Sequence, residues 1–406
     1  MKYIIILGDG MADYPIKRLG GQTPLQYAQT PNMDLLAKLG RTGRLITIPD
    51  GFSPGSEVAN TVIMGYNLKQ VYEGRGPLEA ASIGYEMRQD DFAMRCNIIT
   101  LQDGKIKNHH GGHLTTLQAD KLIKILNEKL GNDNVRFLTG TQYRHLLVIN
   151  RGNKHVVCAP PHDHPDEAWR ELLVTPEKGW ENKTDSNRMT GNETAELINK
   201  LILLSQEILN DSNANVQLSI WPWGGGYRPA MKALNEIYPQ IKSGAVISAV
   251  DLIRGIGHYA GLRIIEVEGA TGLADTNYEG KAKAALTALR TDDFVYLHIE
   301  ASDEAGHDGD LDLKIKTIEN LDRLIVGPIF NEVRTWHDEQ VCVAVLPDHP
   351  TPVEIRTHVN EPVPFAIWFP GINPDNVHTY NEVSCVCGGY GLLRQKEFID
   401  TLLNSK

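Results

Sequence analysis

The stretch Phe294–Lys314, FVYLHIEASDEAGHDGDLDLK, decides how the rest of the chain is read. It opens with Phe294-Val295-Tyr296-Leu297-His298-Ile299, an apolar, aromatic and β-branched run that predicts a strand. It then passes into a loop with six acidic residues and His307. Asp303 and His307 are four apart, a spacing that puts both side chains on one face of a helical turn, where they can grip one ion. A carboxylate paired with an imidazole suits zinc or manganese better than calcium. The same residues also describe a solvated, acidic helix start with His307 on its surface. The choice turns on whether matching ligands occur elsewhere.

At 406 residues the chain has room for two domains, and 41% hydrophobic with 22% charged residues is the profile of a soluble globular protein. A formal net charge of -11 argues against a nucleic-acid partner, which needs a basic face, but leaves room for a small anionic substrate held by a few local arginines. The five cysteines have no framework spacing, and Cys385-Val386-Cys387 has one residue between them rather than two. Reduced cysteines in a cytoplasmic enzyme are the simplest account. Tyr3-Ile4-Ile5-Ile6-Leu7 is too short for a signal-peptide core, and without a run of eighteen apolar residues no membrane span is expected.

Tyr3–Leu7 reads as a buried parallel strand, because it is apolar without alternation. Gly8-Asp9-Gly10 follows at its C-terminal end, where open α/β sheets bind ligands, so Asp9 suits either a turn or a metal. Thr30-Pro31 starts a helix with Thr30 as N-cap, and Gly40 stops it. Ser56, in Pro54-Gly55-Ser56-Glu57-Val58-Ala59-Asn60, can simply cap the helix that follows. The same place, facing free N–H groups and the positive end of a helix dipole, also suits a nucleophile that receives a phosphate.

From Asp91 the pattern changes. Strands are expected at Phe92–Thr100, with Arg95 inside it, at Tyr143–Ile149 and at Val216–Trp221, and helices at Asp120–Leu130 and Asn192–Leu209. The segment Lys107–Leu114, KNHHGGHL, gathers His109, His110 and His113 around two glycines, a metal cluster or an anion-contacting loop. Arg95, Arg144, Arg228 and Arg254 each fall near a strand end or loop start. Singly they suit ion pairs; together they could clamp a phosphate and a carboxylate. The α/β pattern returns at Ala245–Val250 and Arg263–Val267, followed by a helix over Glu279–Leu289. Strands are expected again at Gln340–Leu346 and Val363–Trp368, and a last helix over Leu393–Leu403.

If the strands before Asp9, Asp303 and Asp348-His349 are parallel, their ends share one edge, with His358 in a nearby loop. Asp9, Asp303, His307, Asp348, His349 and His358, with the Ser56 hydroxyl, would suffice for two divalent ions sharing a nucleophile.

Taken in order, Ile6-Leu7-Gly8-Asp9-Gly10, Gly55-Ser56-Glu57-Val58-Ala59-Asn60, Asp303-x-x-Gly306-His307, Asp348-His349 and His358 with Pro362-Val363-Pro364 resemble the archaeal-type branch of cofactor-independent phosphoglycerate mutases, in the alkaline phosphatase superfamily. The likeness runs from residue 3 to beyond 390. It implies an alkaline-phosphatase-like α/β fold, a mostly parallel sheet flanked by helices, interrupted by an inserted α+β substrate domain. The corresponding divisions are 1–86, 87–235 and 236–406, with the first and last parts binding metal.

The resemblance also implies roles. Ser56 is the serine that becomes phosphorylated. Asp303, His307 and His358 hold one metal; Asp9, Asp348 and His349, with Ser56, hold the other, the ions being manganese, zinc or magnesium. Arg75 and Arg95 lie in family-like segments and join His110, His113, Arg144, Arg228 and Arg254 as candidate substrate contacts. The implied reaction, a step of glycolysis and gluconeogenesis, moves phosphate between the 3- and 2-oxygens of glycerate through phosphoserine, with the insert excluding water. One segment departs from the branch: arginines are common where this chain has Asn108-His109-His110-Gly111-Gly112-His113-Leu114. A related bacterial branch has been proposed to act as homoserine kinase, so the alternatives are a phosphotransferase of that type or a metal-dependent phosphatase. No Gly-x-x-x-x-Gly-Lys-Ser/Thr loop for ATP is present.

Overall fold

A computed structural model describes residues 1–210 and 216–404. The chain divides into two compact units, Glu73–Pro229 and the remainder, Met1–Tyr72 with the C-terminal part from Ala230.

The first unit is built on one eight-stranded sheet. In chain order its strands are β1 (Lys2–Gly8), β2 (Arg41–Ile46), β3 (Gly244–Ile247), β4 (Arg263–Ile264), β5 (Phe294–Ile299), β6 (Val341–Leu346), β7 (Val363–Trp368) and β8 (Gly391–Arg394). Their order across the sheet is β4-β3-β5-β1-β6-β7-β2-β8. The centre is parallel, and β5 and β6 are buried along their whole length. That burial on both faces explains their unalternating apolar sequences. Only β7 breaks the direction, pairing antiparallel with both β6 and β2.

Alternation across the sheet divides the work. Ile4 and Ile6, opposite Val295, Leu297, Val343 and Val345, enter the large core with helices Pro31–Leu39, Tyr278–Thr291, Leu311–Leu321 and Gly327–Val333. Ile5 and Leu7 pair with Tyr296 and His298, whose side chains leave on the other face, where helix Ser56–Ile63 lies.

Several local expectations shift. Thr30 does begin the Pro31–Leu39 helix, but its side chain makes no capping bond. The Asp322 carboxylate accepts the Asn32 and Met33 N–H groups instead. The predicted helix over Leu393–Leu403 is shorter, Glu397–Leu403, because Gly391–Arg394 pairs with β2 as an edge strand. The expected strand over Arg263–Val267 keeps only Arg263–Ile264.

In the second unit a long strand, Asp91–Gln102, is paired antiparallel by Lys105–Asn108, Arg144–Asn150 and Val216–Gly226, with Val135–Thr141 outside Arg144–Asn150. Helices Thr116–Leu130 and Gly191–Leu209 cover one face through Ile123, Leu126, Ile198 and Ile202. This unit starts at Glu73, not at residue 87, and ends at Pro229. Helix Arg75–Ser82 belongs to it because Ala80 packs with Ala93, Leu146 and Val148 on the other face of its sheet. From Ala230 the chain rejoins the first unit, where the Tyr66 hydroxyl donates to Lys232 O.

The first unit also buries a complete ion pair. Lys314 Nζ, with no exposed side-chain surface, donates to Asp13 Oδ2 at 2.8 Å and to the carbonyls of Ala12 and Thr351 at 3.2 and 2.8 Å. Removing one partner of such a pair strands the other charge. We expect Lys314→Met to lower the free energy of unfolding in urea by about 3–5 kcal/mol, and Lys314→Met with Asp13→Leu to recover part of that loss. An unchanged urea midpoint in Lys314→Met would show that the pair contributes nothing.

Candidate active site

The parallel register brings the C-terminal ends of β1, β5 and β6 level, since Leu7 is opposite both His298 and Leu346. The residues just beyond those ends are Asp9, the Ala301–Asp308 helix carrying Asp303 and His307, and Asp348-His349. Sheet geometry therefore gathers carboxylates and imidazoles that lie some 300 residues apart in sequence, Asp9 and Asp303 among them.

Two triplets have ligand atoms within 4.8 Å of one another: Asp9, Asp348 and His349, and Asp303, His349 and His358. The first matches the expected set. The second contains the expected Asp303 and His358, with His349 reaching toward both groups. His307 stays beside them: its Nε2 is 3.3 Å from Asp303 Oδ2 and 2.9 Å from His358 Nε2. Its Nδ1 faces Arg356 O at 3.1 Å, which directs Nε2 inward.

Ser56 is the first residue of its helix, with Gly55 in the capping position, so its hydroxyl is not spent on capping. Ser56 Oγ lies 3.2 Å from His349 Nε2 and 3.5 Å from Asp9 Oδ2. All seven proposed ligand and nucleophile side chains, Ser56 included, thus collect at one sheet edge.

The pattern of charge asks for a cation. Burial, then the charges of Asp348 and Asp303, push the Asp9 carboxyl well above its ordinary range. Asp9 Oδ1 is buried without a hydrogen-bond partner. Burial would raise Asp303 as well, but hydrogen bonds from His307 and His358 outweigh it and hold Asp303 well below the usual range. The bond to Asp303 raises His307 to about 9. Burial lowers His349. A bare buried oxygen, crowded carboxylates and imidazoles converging nitrogen to nitrogen are a donor set that fits divalent metal.

Four supporting residues carry no signal strong enough to single them out from sequence. Asn60 Nδ2 donates to Asp348 Oδ2 at 2.9 Å and to Ser56 O at 2.8 Å, while Tyr296 donates its hydroxyl hydrogen to Asn60 Oδ1. Thr351 donates to Asp303 Oδ1. His298 Nε2 lies 2.9 Å from Asp9 Oδ2, and burial drops this imidazole to about 4, so it is neutral. The available hint was periodic: Tyr296 and His298 are two apart in an otherwise apolar strand, and so share a face.

The candidate substrate contacts fall in both units. In the second, Arg75 and Arg95 both lie over the Trp223 ring, at 5.7 and 5.0 Å from its centroid. Arg95 is buried and pairs with Glu79 at 3.1 Å, and the nearby charges of Arg144 and Arg75 add to burial in lowering it. Arg144 Nε is buried without a hydrogen-bond partner. His110 and His113 lie with ring centroids 4.0 Å apart and planes tilted by 32°, on a loop that places His113 at φ 63°. Arg228 is exposed just beyond the Val216–Gly226 strand. Arg254 lies in the first unit, where Glu266 takes its guanidinium at 2.6 Å, an ion pair rather than part of an arginine group.

Residues 37–215 match a family model described as 2,3-bisphosphoglycerate-independent phosphoglycerate mutase. A Methanosarcina acetivorans protein of that name is 46% identical over 406 residues, covering 99% of this chain and 100% of the relative. A solved structure of a Pyrococcus horikoshii protein superposes with a TM-score of 0.81 at 29% identity, covering 99% of this chain and 96% of the other. A solved cofactor-independent phosphoglycerate mutase from Thermoplasma acidophilum superposes with a TM-score of 0.66 at 25% identity, covering 99% of each chain. No helix among the described residues is long and apolar enough to cross a membrane.

Proposed function

The chain belongs to the 2,3-bisphosphoglycerate-independent phosphoglycerate mutase family, and from that premise we propose that it interconverts 3-phosphoglycerate and 2-phosphoglycerate through a phosphoserine at Ser56. The observation that carries this reading is the Ser56 hydroxyl, free of capping duty, facing Asp9 and His349 within one cluster of carboxylates and imidazoles.

Two divalent ions are proposed, one held by Asp303, His307 and His358, the other by Asp9, Asp348 and His349 with Ser56. When bound, they neutralise negative charge on the transferred phosphoryl group and favour the ionised serine. Ser56 Oγ attacks phosphorus as the bond to the 3-oxygen breaks, and the proton lost from Ser56 ends on that oxygen. The glycerate 2-oxygen then attacks phosphorus as the Ser56 Oγ–P bond breaks, and the proton lost from the 2-hydroxyl ends on Ser56. The start of the Ser56–Ile63 helix, the positive end of its dipole, favours the anionic group at this point. We assign the second unit to substrate binding, with Arg75, Arg95 and Arg144 offering guanidinium groups to a carboxylate or phosphate. We place the reaction in the cytoplasm, in keeping with five cysteines that form no disulfide.

The test is to supply Mn(II) and 3-phosphoglycerate without bisphosphoglycerate and follow 2-phosphoglycerate. Homoserine with ATP is run in parallel, because His110 and His113 stand where arginines are common in the branch. Conversion in the first arm, abolished by chelation and restored by Mn(II), is the expected result. Product only from homoserine would overturn the mutase reading, and release of inorganic phosphate alone would make the protein a phosphatase.

A further inference from the structure

Asp9 is gripped from one side only. His298, opposite Leu7 in the β1–β5 register and fully buried, presents Nε2 to Asp9 Oδ2 at 2.9 Å. Its Nδ1 lies 3.2 Å from Ser248 Oγ, just past the end of β3. Ser248 Oγ in turn accepts the Val250 N–H at 3.0 Å. These contacts give the chain a direction. With Asp9 ionised as a metal ligand, its oxygen can only accept, so Nε2 then carries the imidazole hydrogen. Nδ1 is then the acceptor, and the serine hydroxyl hydrogen points to it. Asp9 Oδ2 is engaged by this line and, at 3.5 Å, by Ser56 Oγ, whereas Oδ1 is buried with no hydrogen-bond partner and has His349 Nε2 at 3.6 Å.

We propose that His298 is a positioning residue, its tautomer set by Ser248, that occupies Asp9 Oδ2 and leaves Oδ1 as the ligand atom. The inference rests on the reading of the site as one that holds divalent ions. Neither residue touches substrate in this proposal; both act through Asp9. An imidazole that fixes a ligating carboxylate also removes its rotational freedom, and loss of such an outer partner costs about 10–100-fold in metal affinity.

Mn(II) affinity of the full chain, measured by chelator competition with electron paramagnetic resonance, tests this. His298→Leu should weaken one site by about 10–100-fold. His298→Gln, whose side-chain amide can reach the position of Nε2–H, should restore most of that loss. Ser248→Ala should produce a smaller loss than His298→Leu. Thermal unfolding in EDTA separates folding from ligation: both His298→Leu and His298→Gln should still unfold cooperatively without metal, so that the difference in their Mn(II) affinities is not one of folding. Wild-type affinity in His298→Leu would overturn the proposal, as would equal weakening in the Leu and Gln variants, which would mean that packing alone is at stake. Failure of the wild-type chain to bind Mn(II) at all would instead overturn the reading of the site.

Discussion

Ser56→Ala is expected to reduce mutase turnover by about four orders of magnitude or more, the scale on which loss of a covalent nucleophile is felt. The variant should fold normally, because Ser56 caps no helix and its side chain is only partly buried. It should still bind Mn(II), since Asp9, Asp348 and His349 remain to hold the ion. Two measurements check this together: 2-phosphoglycerate formation, and trapping of a phosphorylated protein by acid quench. Wild-type protein should trap phosphate at Ser56 and the variant should not. Residual turnover within a hundredfold of wild type would mean that phosphate moves by another route.

The second large effect is expected from Asp348→Asn, with turnover falling at least about a thousandfold as a preorganised charge is lost. Asp348 Oδ1 accepts the N–H groups of Gly10 and His349 at 3.1 and 2.8 Å, and Oδ2 accepts Asn60 Nδ2 at 2.9 Å. Each oxygen faces donors, so either orientation of an asparagine amide sets N–H against N–H. Asn60 cannot readily turn to compensate, because its own amide is committed to Ser56 O and to the Tyr296 hydroxyl. A buried mismatch of this kind costs about 1–3 kcal/mol.

A second contribution has the opposite sign. Asp348 is the largest charge acting against ionised Asp9, so its neutralisation relieves repulsion in metal-free protein. The discriminating readout is therefore the gain in melting temperature on adding Mn(II). It should be large in wild type and nearly absent in Asp348→Asn. Equal gains would remove Asp348 from the proposed ligand set.

The main frame of the site was legible because parallel strands have a polarity. Apolar runs ending at Asp9, before Asp303 and before Asp348-His349 each predict a side chain at the same edge, and the register carries them there. The direction of β7 was not legible, since an apolar run reads alike in both directions. Nor was the bracing of Thr30's helix by Asp322, a contact between residues far apart in sequence that no local capping pattern records. Ser56 was readable as a helix start, but cap and first residue differ by one position, and that position decides whether the hydroxyl faces its own helix or Asp9. His298 and Tyr296 were hidden inside a run whose burial was evident and whose polar groups were counted as ordinary strand residues.

The sheet's centre has a bearing on how the protein is made. β1 sits between β5 and β6, and both partners are translated only after the whole of the second unit. On the ribosome β1 therefore emerges as an apolar strand with two bare edges and must wait for its neighbours, while Glu73–Pro229, contiguous in sequence, can collapse as soon as it is released. Pairings this distant slow folding, so nascent chains that stall before residue 341 should engage chaperones through Lys2–Gly8.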